Sequence, residues 1–283
     1  MPNYVANQVY FNGDIKDITA LSEEIFKKGE EGELTFSFNT LLPMPKSLNV
    51  ASTSDIKYYV KAYLNSLPRD ESENFKEQLK KIYKDKGSVF GYMSYYDELK
   101  LNDCTIEEDA ISRLNSAFKE EYADFNVNAI EEVGKIYLEN ILYYHTSDWY
   151  DWCVENWGTK WDAVEVHFSY GNTGIYFETA WSPPIPIFKK LAEIAKKHNV
   201  DFYVIWADED VGEAPGKLSS AKISENDIYE PISDSELYGG YFEPGSSMAL
   251  KIYCEAWGYD PEDSEYIEVD PDTGEYKLVE LEY

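Results

Sequence analysis

The chain is short of positive charge, of cysteine and histidine, and of long apolar runs, and each shortage excludes a class of protein. Lys and Arg number 25 against 54 Asp and Glu in 283 residues, a formal net charge of −29. Nucleic acid and anionic membrane both bind through basic residues that displace counterions, so direct contact with either is not expected. The three cysteines, Cys104, Cys153 and Cys254, make no metal-type spacing and suit a reducing cytoplasm rather than a disulfide scaffold. His145, His167 and His198 have no histidine companion three or four residues away, so the zinc-helix motif is missing. No stretch approaches the roughly 18 apolar residues that cross a bilayer. The opening MPNYVANQVYFNG has no basic region followed by an apolar run, and no secretory leader is expected. G-x-S-x-G, phosphate-loop and dinucleotide fingerprints are also missing. Binding is favoured over catalysis on these grounds, with no catalytic residue, metal or cofactor expected.

What is abundant is acid and aromatic side chains. From Ala207 onward the chain has 21 acidic and 4 basic residues, a net of −17. Five of the seven tryptophans fall between Trp149 and Trp181, around the loop Asn156-Trp157-Gly158-Thr159-Lys160-Trp161-Asp162. Tryptophan buries a large area and carries one donor that needs an acceptor, so the cluster marks a packed core or a recognition surface.

Periodicity supplies an architecture. Tyr4–Phe11 reads as a strand ending at Asn12-Gly13, and Ile15, Ile18, Leu21 and Ile25 then recur at helical spacing. Residues 33–39 (ELTFSFN) alternate and predict a second strand, closed by Leu42-Pro43-Met44-Pro45. Helical patterns follow over 58–67, 72–84, 105–125 and 129–144, and a short one over 148–155. Residues 163–170 and 174–181 predict a hairpin, Pro183-Pro184 starts a helix, and 200–207 reads as a buried strand. Beyond Asp208 the pattern weakens. A strand over 217–223 and a hairpin across Asp270-Pro271-Asp272-Thr273-Gly274 are expected there. The expected fold is α+β: a ferredoxin-like antiparallel sheet, interrupted by a helical insertion, plus an acidic C-terminal region with a β-hairpin. The corresponding domains are 1–45 with 148–223, 46–147, and 224–283.

Four pieces in order resemble the YubB-like proteins of plasmids and phages. They are Met1-Pro2-Asn3 with Asn7 and Gly13; Phe38-Asn39 with Leu42-Pro43-Met44-Pro45; NWGTKWDA over 156–163; and Phe177 with Thr179-Ala180-Trp181-Ser182-Pro183-Pro184. The resemblance covers residues 1–45 and 148–223. It implies a ferredoxin-like domain, a bacterial host cytoplasm and a link to countering host defence, and it supplies no chemistry.

Candidate sites follow from residue chemistry. The Trp-Gly loop, with Trp181, reads as a structural lock between sheet and insertion, in which Lys160 would pair with Asp162 or cap a helix. Asp270, Asp272 and Glu275 read as a hairpin turn, since the further ligands of a calcium loop are missing. Asp208, Glu209, Asp210, Asp260, Glu262, Asp263, Glu265 and Glu268 are the candidate partner-binding surface. Rows of carboxylates can imitate the phosphate field of DNA, so the expected partner is a basic host protein such as a defence nuclease or a DNA-binding complex. Two alternatives stand beside this. One is an enzyme or small-molecule binder with a pocket between the sheet and the helical insertion. The other is an RNA-binding ferredoxin-like module stacking bases on Tyr170, Tyr176, Phe202 and Tyr203, against which the missing basic stripe argues.

Overall fold

The structure is a computed structural model that describes residues 3–29, 32–85, 99–101, 104–121, 129–222, 228–232 and 237–279. The chain divides into two units, Met1–Pro43 with Cys153–Tyr283, and Met44–Trp152.

The first unit is built on a seven-stranded antiparallel sheet in the order β4-β5-β1-β6-β7-β9-β8. Its strands are β1 (Tyr4–Asn12), β4 (Val164–Phe168), β5 (Gly174–Ala180), β6 (Asp201–Asp208), β7 (Gly216–Ser219), β8 (Glu230–Pro231) and β9 (Tyr238–Tyr241). Helices α1 (Ile15–Ile25) and α8 (Ile185–Lys197) complete a β-α-β-β-α-β path. In that path β1 lies between β5 and β6, which is the ferredoxin-like arrangement. The register fixes the two faces. Val5, Asn7, Val9 and Phe11 point one way, in line with Phe177 on β5 and with Trp206, Val204 and Phe202 on β6. Leu21 and Ile25 of α1 and Phe188 and Leu191 of α8 are also fully buried. The Trp206 indole lies stacked on Phe188 at 5.7 Å.

The opposite face is also covered. Helix α9 (Ser247–Trp257) packs Leu250, Ile252 and Tyr253 against Ala6, Ile205 and Ala207. Gln8 ties it down, its Nε2 donating to the carbonyls of Glu255 at 2.8 Å and Ala256 at 3.1 Å. The C-terminal residues thus build onto the sheet. Strands β8 and β9 continue the sheet, and α9 roofs it. The edges are blunted by an irregular register between Val164 and His167 on β4 and by Pro231 on β8.

The expected second strand is corrected. Only Leu34–Thr35 (β3) is extended, paired with Lys27–Lys28 (β2) outside the main sheet. The chain then turns into a short helix α2 (Phe38–Leu41), because Ser37 caps it by accepting from the Asn39 amide. The alternating phenylalanines are still buried: Phe36 and Phe38 meet edge to face at 5.8 Å. The C-terminal hairpin pairs Ile267–Val269 (β10) with Tyr276–Leu278 (β11). The expected strand over 217–223 is shorter, Gly216–Ser219, and its last expected residue lies outside the described ones.

The second unit is helical. Helices α3 (Ile56–Ser66), α4 (Arg69–Asp85), α5 (Glu108–Glu121) and α6 (Ile130–Tyr144) match the expected segments within a few residues. The end of the segment expected over 105–125 falls outside the described residues. Helices α3 and α6 form its core through Tyr59, Val60 and Leu64 with Val133, Tyr137 and Ile141. They approach so closely that a Cβ on Gly134 would lie 1.9 Å from the Tyr59 carbonyl oxygen. Helix α7 (Trp149–Asn156) runs across the division between the two units in sequence. No helix among the described residues is long and apolar enough to cross a membrane.

Candidate functional site

Residues from each of the four pieces that carry the sequence resemblance are hydrogen-bonded within the sheet unit. Buried Asn7 donates through Nδ2 to the Thr179 hydroxyl at 3.0 Å, and that hydroxyl donates to the Ser182 carbonyl at 2.9 Å. Ser182 Oγ donates to the Gly158 carbonyl at 2.7 Å, and Thr159 Oγ1 to the Ala180 carbonyl at 2.8 Å. Trp157 is buried edge to face against Phe38, and its Nε1 donates to the Leu42 carbonyl at 3.0 Å. Asp162 accepts from the Ser37 hydroxyl and from the amides of Phe38 at 2.7 Å and Ala163 at 2.8 Å. Gly158 sits at φ +79, where a Cβ would also lie 2.7 Å from Pro186 Cδ. Asn156 ends α7 and leads into this loop.

Lys160 lies among the tryptophans of this segment. Its Nζ lies over two indoles, 4.8 Å from the Trp161 ring centre and 4.5 Å from that of Trp181. Trp181 is 45% exposed and holds φ +73, an unusual backbone for so bulky a residue. Its amide donates to the Asn3 carbonyl at 2.8 Å.

The acidic residues lie on two successive parts of the same unit. Asp208 ends β6 and Glu209 and Asp210 follow it, beside the start of β1. Asn3 Nδ2 donates to Asp210 at 3.3 Å, and the Tyr4 amide donates to Glu209 at 3.2 Å. Asp260, Glu262 and Asp263 form the short turn after α9, where Asp260 caps by accepting from the Glu262 amide at 3.0 Å. Glu265 and Glu268 belong to the following segment and β10. All eight are exposed except Asp208, which is half-buried.

The end of α9 links the first two groups. Trp257 Nε1 donates to the Asp208 carbonyl at 3.0 Å, and Tyr253 Oη to that of Glu209 at 3.4 Å. Tyr259 stacks on Trp257 with ring centres 6.4 Å apart. Burial holds the Asp208 carboxyl above the usual carboxylate range, with the charges of Asp210 and Glu209 adding to it. Burial, then the neighbouring Tyr259, Cys254, Asp210 and Asp208, pushes the Tyr253 phenol up to about 12. The Cys254 thiol is raised by burial and by Asp260. Asp208 and Asp210 therefore act electrostatically on Tyr253, and Asp260 on its neighbour Cys254. The aromatic side of this acidic surface, Tyr253, Trp257 and Tyr259, is not apparent from the sequence pattern. The bracket of Ser246 before α9 and Gly258 after it was the available signal.

The aromatic residues of the base-stacking alternative do not share a face. Phe202 is buried on the α8 side, Tyr176 and Tyr203 lie on the α9 side, and Tyr170 is fully exposed in the β4–β5 turn. His167 lies over Tyr176 at 5.8 Å, and His198 bonds Glu24 at 2.8 Å. Among the described residues no three His, Cys, Asp or Glu side chains gather as a metal site would require. In the hairpin turn Asp270 accepts from the Lys277 ammonium at 3.0 Å and from the amides of Asp272 and Thr273. These interactions, led by that of Lys277, hold its carboxyl well below the usual range.

Comparison with known proteins places a family match within the sheet unit. Residues 156–242 match the family model described as the ferredoxin-like domain in Api92-like protein. The stretch begins at the Trp-Gly loop and runs through β9. The chain is also similar to the crystal structure of a protein api92 from Yersinia pseudotuberculosis, at 10% identity, covering 77% of this chain and 94% of that one with a TM-score of 0.35. No curated protein matches.

Proposed function

We propose that this chain is a non-enzymatic protein of a phage or plasmid, of the YubB-like kind, which occupies the basic surface of a nucleic-acid-binding host protein and so counters a defence system. The supporting observation is the surplus of 17 negative charges past Ala207, in 77 residues. Seven of its eight candidate carboxylates are exposed, and the backbone carbonyls of Asp208 and Glu209 accept from Trp257 and Tyr253 of α9. A surface of this kind attracts a basic partner at range, and the half-buried Trp257 and exposed Tyr259 beside it offer rigid contact area at short range. The proposed setting is the bacterial cytoplasm. The test is affinity capture from host cells carrying nuclease-based defence systems. The parent chain is compared with a variant carrying Asp210→Lys, Glu262→Lys, Asp263→Lys and Glu265→Lys. Capture of a basic nucleic-acid-binding protein by the parent, and its loss in the variant, supports the reading. Equal capture by both overturns it.

A further inference from the structure

The helical unit contains a cavity of about 360 Å³, within the range of small-ligand sites. It is lined by Ser52, Thr53, Ser54 and Lys57 from one segment and by Asp148 and Asp151 from another, with Ile56 and Leu99 as apolar wall. The first group comes from the loop and first turn of α3, where the amides of Ile56 and Lys57 precede Tyr58, whose amide is the first to bond back to the Asp55 carbonyl. The second comes from the start of α7, where Asp148 is only 2% exposed. The Asp148 carboxyl accepts from the Ser147 hydroxyl at 2.7 Å, from the Tyr150 amide at 2.9 Å and from the Ser52 side chain. Lys57 lies over the Tyr58 ring at 4.9 Å and makes no ion pair among the described residues. One small cavity thus carries an ammonium with a helix start, and a buried carboxyl with a second acid beside it, without joining them in a salt bridge.

We infer that this cavity binds a small zwitterion of the amino-acid class, its carboxylate taken by Lys57 and the start of α3 and its ammonium by Asp148 and Asp151. A simple anion would face the two acids, and a simple cation would face Lys57 and the helix start. A molecule with both charges answers both ends. The inference is independent of the acidic surface on the sheet unit.

The test is saturation-transfer NMR and calorimetry on the full chain with the twenty free L-amino acids, each compared with its N-acetyl amide, which lacks both backbone charges. Saturable binding of at least one free amino acid is expected, weakened at least about tenfold in the blocked form and in both Lys57→Met and Asp148→Asn. Asparagine keeps an acceptor for the Tyr150 amide, and thermal unfolding verifies that each variant is folded. No saturable binding up to about 10 mM overturns the inference. So does equal binding of the blocked forms, or equal binding by the folded variants.

Discussion

At the scale of single residues, the loop at 156–163 gains its meaning from partners far away in sequence. Trp157 fills a buried site and bonds the Leu42 carbonyl, so Trp157→Ala is expected to cost about 3–5 kcal/mol in chemical unfolding. Trp181 is the contrast. Its ring is 45% exposed and its backbone is left-handed. Trp181→Gly relieves about 1–2 kcal/mol of that strain while losing the contact with Lys160, and the net change should be much smaller than at Trp157. Asp148 gives a pH-dependent case. Burial raises its carboxyl, so folding favours the protonated form. That contribution is complete below the unfolded-state pKa and is lost as pH rises through the folded one. Asp148→Asn removes the loss while keeping the helix cap. Its unfolding temperature minus that of the parent should therefore be greater near pH 7 than near pH 4. An unchanged difference would contradict the assigned burial.

At the scale of elements, close approach decides more than propensity does. Gly134 lets α3 and α6 meet at the Tyr59 carbonyl, and Gly134→Ala is expected to cost about 1–3 kcal/mol, read by thermal unfolding. Ser246 Oγ accepts from the Ala249 amide at the start of α9, so Ser246→Ala should cost about 1 kcal/mol. Much of this level was legible from the sequence. The hydrophobic spacing located β1, α1, the four helices of the second unit, the β4–β5 hairpin, α8 and β6. It failed at 33–39 because alternation reports which side chains are buried, and Phe36 and Phe38 are buried whether the chain is extended or turning. What ended the strand was Ser37 held by Asp162, a partner 125 residues away. Helix α9 is short and apolar on adjacent positions, Leu250 with Ile252, Tyr253 and Cys254, so its spacing gives a weak stripe and only the bracket of Ser246 and Gly258 marks it. The convergence of Asn7, Thr179, Ser182 and Gly158 was visible only as motif fragments, since no local pattern states that they bond one another.

At the scale of the whole molecule, charge is the governing quantity. Electrostatic self-repulsion at a net of −29 should make the fold more stable as salt is added, while contact with a basic partner should weaken. One change of buffer therefore moves two observables in opposite directions. The candidate surface drew on the sequence for its acidity and on the structure for its aromatic flank, because Trp257 and Asp208 are neighbours only after β6 and α9 have packed. The most direct measurement of the central claim is the affinity of the captured basic partner for the full chain. It should be followed by calorimetry at about 0.1 M and about 0.5 M salt, for the parent and for the variant reversed at Asp210, Glu262, Asp263 and Glu265. Binding that falls at least about tenfold with salt, and by at least as much on charge reversal, is the predicted result. Binding that survives both would place the contact elsewhere and contradict the account.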